Sequence, residues 1–191
     1  MIKLKTTQYY LSDRFENHSE IKSYLLDLID ECMCVGFENE DEHYKHRITR
    51  YDWTEHKNWE RPWVEFLLPY IVPKLNSIVN ELGFSNINLE ALWFQQYELS
   101  SIHDWHIHGS NYTGVYYLEL PHDVPKTAIY DGEQIITPKV EEGDLCIFPA
   151  MAPHISMKNE SLSRKTIISY NFNMAELDID TLKNMKKINY L

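Results

Sequence analysis

No apolar run in this sequence approaches the ~20 residues that a bilayer-spanning helix needs, so a membrane segment is not expected. The stretch from Met1 to Tyr10 lacks the basic-then-apolar order of a secretory leader, which argues against export. Cysteine is scarce and odd in number: Cys32, Cys34 and Cys146. That count excludes a disulfide framework and points to a reducing compartment, so a cytoplasmic location is expected. Cys32 and Cys34 stand one residue apart and admit a redox or metal pair, although an inert buried thiol is the commoner use. Positive charge is also short. Eighteen Lys and Arg face 29 Asp and Glu, giving a net charge of −11 that repels phosphate and disfavours bulk nucleic-acid binding. The few basic residues are scattered, with one small group at Lys183, Lys186 and Lys187. Neither an internal repeat nor a low-complexity segment is present.

Aromatic residues are plentiful at 13% of the chain, including 13 Tyr and 5 Trp, which favours an aromatic-lined core or pocket. The 191 residues suit a single domain, 1–191. Its parts read as an N-terminal helical support over 1–88, a β core over 89–174 and a tail from 175 to 191. In the first part, Ile21, Tyr24, Leu25, Leu28 and Ile29 recur at helical spacing behind a cap at Asn17 or Ser19, and Gly36 is the expected stop. A polar stretch from Glu38 to His56 reads as a long connection, with the segment to Trp59 a candidate lid. A second helix is expected from Pro62 to Leu82, with a kink at Pro73 and closure at Gly83.

From Leu89 the pattern changes to short β-branched and aromatic runs between turn residues. Strands are expected near 91–98, 103–108, 113–119, 127–130, 134–137, 145–148, 153–158 and 165–173. Asp131-Gly132 signals a hairpin and Glu142-Gly143-Asp144 a turn. Strands this short and this regular form a sandwich or barrel. The fold class is therefore mainly β with N-terminal helices laid against a double-stranded β-helix (jelly-roll) core.

Five of the nine histidines lie between His103 and His154. In a strand, His106 and His108 point the same way and can reach one metal ion. Alone, such a pair is weak, since two half-exposed strand histidines look identical in sequence. A second element strengthens it: Gly143-Asp144 opens a buried run to Phe148-Pro149, and His154 follows. In a double-stranded β-helix this late strand lies beside the early one. Three imidazoles from two strands hold a divalent transition metal and leave positions open. Arg164 lies ten residues beyond His154, with Thr166 on the same strand face. A buried arginine opposite an open metal position suits a bidentate carboxylate. Lys165 competes for that role if the strand phase is shifted by one.

These residues resemble the 2-oxoglutarate/iron(II) dioxygenases, which carry His-x-Asp/Glu…His, then Arg or Lys about ten residues on, often with Ser or Thr two further. His106, His154, Arg164 and Thr166 fit that order. Trp105-His106-Ile107-His108, Thr113-Gly114-Val115-Tyr116-Tyr117-Leu118 and Gly143-Asp144…Phe148-Pro149…His154 also look like a bacterial and phage group with a His-x-His motif. The resemblance covers residues 89–174. It implies Fe(II) held by His106, His108 and His154, with 2-oxoglutarate as cosubstrate bound by Arg164, Thr166, Tyr97 and Tyr117. The implied reaction takes 2-oxoglutarate, O2 and an unidentified primary substrate to a hydroxylated product, succinate and CO2. Trp93 and Trp105 would line the pocket or simply pack.

One departure stands out. His108 occupies the position of the family's carboxylate, which leaves the site one unit more positive and opens an alternative in which Asp104 completes the set. Two rivals keep the same fold. A cupin shares the His-x-His and Gly143…Pro149…His154 pattern but expects a glutamate where Tyr112 and Thr113 stand. A jelly-roll binding module with a structural metal, or with none, is the non-enzymatic reading. Three histidines also suit zinc.

Overall fold

The computed structural model describes residues 10–41, 43–174 and 176–186. Among the described residues twelve strands form two six-stranded sheets. The first sheet contains β1 (Leu11–Arg14), β4 (Arg50–Tyr51), β5 (Ile87–Tyr97), β7 (Tyr112–Glu119), β10 (Asp144–Pro149) and β12 (Lys165–Met174), in the order β1-β10-β7-β12-β5-β4. The second contains β2 (Phe37–Glu40), β3 (Lys45–Ile48), β6 (Ile102–His106), β8 (Thr127–Tyr130), β9 (Ile135–Ile136) and β11 (His154–Ser156), in the order β2-β3-β6-β11-β8-β9. Every pairing is antiparallel. This is the expected jelly roll with helices on one face.

Three helices complete the described chain: α1 (His18–Asp30), α2 (Pro62–Glu81) and α3 (Ile179–Lys186). In α1, Ile21, Leu25 and Ile29 are buried at the spacing of one helix face. The helix ends at Asp30 rather than at Gly36, which lies instead where a Cβ would meet the carbonyl oxygens of Ile48 and Thr49 at 2.6 and 2.7 Å. In α2, Pro62 opens the helix and the element runs on through Pro69 and Pro73. Burial of Trp63, Val64, Leu67, Ile71 and Leu75 outweighs the backbone bonds that two prolines remove.

Alternation along the strands creates three layers. Leu92, Phe94, Tyr116, Leu118, Ile168, Tyr170 and Phe172 face the helices in one core. Tyr97, Val115, Tyr117, Cys146, Phe148 and Ile167 face the second sheet in another. The central strands of the first sheet are thus buried on both faces, and β12 reads as a nearly continuous buried run.

The polar stretch after Glu38 is not a plain connection. It supplies β2, β3, β4 and a 3-10 turn at Trp53–Glu55, adding β4 to the edge of the first sheet and the β2–β3 hairpin to the edge of the second. Asp52 anchors it. Its buried carboxylate accepts hydrogen bonds from Arg61 Nη1 (2.5 Å), Trp63 Nε1 (3.1 Å) and the Phe94 amide (2.7 Å). Gly132 and Gly143 take positive φ at the two expected turns. Among the described residues no helix is long and apolar enough to cross a membrane. Lys187, from the small basic group, lies outside the described residues, as do residues 1–9.

Candidate metal centre

His106 ends β6, His154 opens β11, and the two are direct cross-strand partners. His108 lies two residues past the end of β6, in the turn, where its amide donates to the Ala150 carbonyl at 2.9 Å. Strand alternation therefore does not bring it to the site; the turn does. One ring nitrogen from each of His106, His108 and His154 lies within 4.8 Å of the others. The Nε2 atoms of His108 and His154 are 3.2 Å apart.

The opposite ring nitrogens are tied down. His106 Nδ1 donates to the Asp104 carbonyl (2.7 Å) and His154 Nδ1 to the Ala152 carbonyl (3.0 Å). His108 Nδ1 lies 3.3 Å from the Asn171 carboxamide, whose buried Oδ1 otherwise has no partner among the described residues. Turned end for end, that carboxamide presents Oδ1 to accept from His108 Nδ1–H. In each ring the proton then sits on Nδ1 and a bare Nε2 lone pair points inward. Two lone pairs facing at 3.2 Å repel, so a proton on one nitrogen or a cation between the two must occupy that gap. Burial also pulls the His106 and His108 pKa values down to about 4, and holds His154 well below its usual range, so all three rings are neutral at pH 7. Neutral, outer-nitrogen-tethered imidazoles are the state in which histidine binds a transition metal. The residues fit the group. Asp104 does not join them: its carboxylate accepts from the Lys45 and Trp105 amides.

Deeper in the sandwich, Lys165 replaces Arg164 as the inward cation. On β12, Lys165, Ile167, Ser169 and Asn171 face the second sheet, while Thr166, Ile168 and Tyr170 face the helices. Arg164 goes with the helix side, where its guanidinium pairs with Glu119 (2.9 Å) and Asp30 (3.0 Å), and Thr166 donates to Glu119. Lys165 is 1% exposed, and its Nζ donates to Ser156 Oγ (2.6 Å) and the Pro125 carbonyl (2.8 Å) over the Tyr97 ring. Among the described residues no carboxylate pairs with it, and burial lowers its pKa to about 7. The expected Tyr97 and Tyr117 are both in this inner layer. Burial raises their pKa values, and neither hydroxyl has a well-formed hydrogen bond among the described residues. Trp93 also lines the chamber, with an indole N–H that has no partner among the described residues.

Sequence reasoning missed His103, Gln95, Ser156 and Ser169, which line the same chamber, and Asn171, which meets His108 Nδ1 from β12. Strand parity of β5, β11 and β12 is the signal that places all but His103. A separate, wide cleft is lined by Val35, Phe37, Tyr51 and Trp53. Trp53 packs edge-on against Trp93 at 4.6 Å, and Trp93 in turn lies 5.6 Å from His108.

No family model and no curated sequence matches the chain. Solved structures do. An oxidoreductase of the 2OG-Fe(II) oxygenase family from Burkholderia pseudomallei aligns over 88% of this chain and 87% of its own, with a TM-score of 0.69 and 10% identity. A prolyl-4-hydroxylase from Pseudomonas putida aligns over 86% and 93%, with a TM-score of 0.60 and 13% identity. A Trichoplax adhaerens prolyl hydroxylase, in complex with a hypoxia inducible factor peptide fragment, aligns over 95% and 87%, with a TM-score of 0.63 and 13% identity. The chain therefore has the double-stranded β-helix fold seen in the 2OG-Fe(II) oxygenases, with a three-histidine cluster inside it.

Proposed function

We propose that this chain is a 2-oxoglutarate- and Fe(II)-dependent oxygenase that hydroxylates a primary substrate. His106, His108 and His154 hold the iron. Lys165, Ser156, Tyr97 and Tyr117 receive the distal carboxylate of the cosubstrate, and the Arg164 and Thr166 roles implied by sequence pass to these inward residues.

The carrying observation is the placement of Lys165. A buried ammonium with no facing carboxylate is a costly arrangement that an anion relieves. Its partner Ser156 stands two residues from His154 on the same strand, a rise of about 7 Å. A five-carbon dicarboxylate spans that gap, one end at the three histidines and the other at Lys165. The two buried tyrosine hydroxyls supply further donors to the same end. When bound, iron and cosubstrate supply the oxidation: O2, 2-oxoglutarate and a substrate C–H bond give succinate, CO2 and a C–OH group, one oxygen atom going to each organic product. The protein orients both ends of the cosubstrate and excludes water from the chamber between the sheets. The primary substrate docks at the aromatic cleft of Phe37, Tyr51 and Trp53.

Anaerobic titration of the Fe(II)-loaded protein with 2-oxoglutarate tests the reading. A visible charge-transfer band and slow succinate release on adding O2 are expected. The absence of both, with unchanged 2-oxoglutarate affinity in Lys165→Ala, would sink it.

A further inference from the structure

The pairing of β6 with β11 contains an irregularity at the metal centre. His154 faces His106 and Ser156 faces His103, so two steps on β11 match three on β6. One extra residue on β6 is a β-bulge, a device that re-aims side chains beside functional sites. Regular alternation would send His103 and His106 to opposite faces. The bulge turns both inward, and both line the chamber.

His103 is not one of the three converging ligands. Its ring lies flat on that of His106, with centroids 3.7 Å apart and planes 16° from parallel. The back of His103 is fixed. Its Nδ1 lies 3.1 Å from the Gln95 carboxamide on β5, and Gln95 Oε1 accepts from Ser169 Oγ on β12 at 3.0 Å. On its far side His46 of β3 packs edge-on at 5.0 Å. Both sheets and the β2–β3 hairpin thus hold one imidazole plane. That plane limits rotation of His106, whose hydrogen-bond tether is the bond from Nδ1 to the Asp104 carbonyl.

We propose that His103 is a positioning residue that fixes the ring plane of His106 by stacking, and that the β6 bulge exists to bring it there. This rests on the reading of His106, His108 and His154 as metal ligands. It adds a member to the site that binds neither the metal nor the cosubstrate.

Two substitutions separate the stack from mere filling of space. His103→Phe keeps a flat ring, while His103→Leu keeps similar volume without one; both lose the bond to Gln95. The readout is Co(II) affinity of the full chain by calorimetry, with the visible d–d spectrum of the bound ion. The expected result is an affinity within about threefold of wild type for His103→Phe, and a loss of about tenfold with an altered d–d spectrum for His103→Leu. Equal affinities and spectra in the two variants would overturn the proposal, as would wild-type behaviour of His103→Leu. His106→Ala is the control. If wild type binds no Co(II), or His106→Ala binds as wild type does, the metal centre itself is refuted and His103 with it. If wild type binds and His106→Ala does not, failure of the His103 comparison counts against the stacking role alone.

Discussion

Lys165 Nζ donates a 2.6 Å hydrogen bond to Ser156 Oγ, two residues along β11 from His154. Its neighbour Arg164 is held outside the sandwich by Glu119 and Asp30. One position along the strand thus separates an inward cation from an outward ion pair. Lys165→Ala should weaken 2-oxoglutarate binding to the metal-loaded protein by about 100-fold or more, the effect of removing one partner of a buried charged bond. Arg164→Ala should change it by less than about threefold, because a half-exposed pair contributes little even to stability. Calorimetric titration of both variants decides between the two residues.

The same lysine sets a pH dependence. Its pKa of about 7 in the free protein means that it loses its proton as pH rises past neutrality. A dicarboxylate binds the ammonium form, so above about pH 7 binding must take up a proton. Affinity for 2-oxoglutarate should fall by up to about tenfold per pH unit from there. The effect on folding has the opposite sign. Unfolded lysine keeps its proton to about pH 10.4, so between the two values the unfolded state binds more protons and this group adds stability as pH rises. Titrations at pH 6, 7, 8 and 9 with wild type and Lys165→Met check the first statement, since a thioether has no proton to lose and the variant cannot show the slope.

His108 replaces a carboxylate with a neutral ring. If it ligates through Nε2, beside that of His154 at 3.2 Å, His108→Ala should weaken Co(II) or Fe(II) binding by more than the ~10–100-fold typical of outer partners. His108→Asp should recover most of that loss, since the carboxylate restores a ligand and a negative charge. Wild-type affinity in His108→Ala would remove it from the ligand set.

The site was legible in sequence only where spacing decides. His106 and His154 follow from strand order, since any double-stranded β-helix pairs those two strands. The choice between Arg164 and Lys165 depends on strand phase, and β12 is buried on both faces, so no polar–apolar alternation reveals it. Pairing with β5 and β7 sets the phase, and that information lies elsewhere in the chain. His103 was hidden because a bulge shifts parity by one without any mark in the sequence. Strands β2 to β4 were missed for another reason. Phe37–Glu40 is exposed throughout and carries two glutamates and an asparagine, so only its partner strand makes it β.

Asp52 ties the segment after α1 to the body of the fold. It accepts from Arg61, Trp63 and the Phe94 amide in a setting where both Asp52 and Arg61 are under 9% exposed. Removing one partner of such a pair leaves the other charge buried alone. Asp52→Ala should therefore destabilise the protein by about 3–5 kcal/mol in urea titration. Asp52→Asn keeps the shape and two acceptor lone pairs and should cost less. Equal stability of wild type and Asp52→Ala would show that water reaches Arg61.

Gly114 tests the independence of the layers. It pairs with Tyr170 across β7 and β12, and a Cβ at this position would run into the Tyr170 ring, 2.5 Å from Cζ. The ring lies on the helix side of the first sheet, away from the histidines. Gly114→Ala should force it aside at a cost of about 1–3 kcal/mol, as overpacking does. Tyr170→Leu alone leaves a gap, but paired with Gly114→Ala it should recover part of the combined loss, giving a coupling that a double-mutant cycle measures. Co(II) affinity should stay at the wild-type value in Gly114→Ala. The strain is in the layer between sheet and helices, whereas the three ligands hang from β6, its turn and β11 in the opposite sheet.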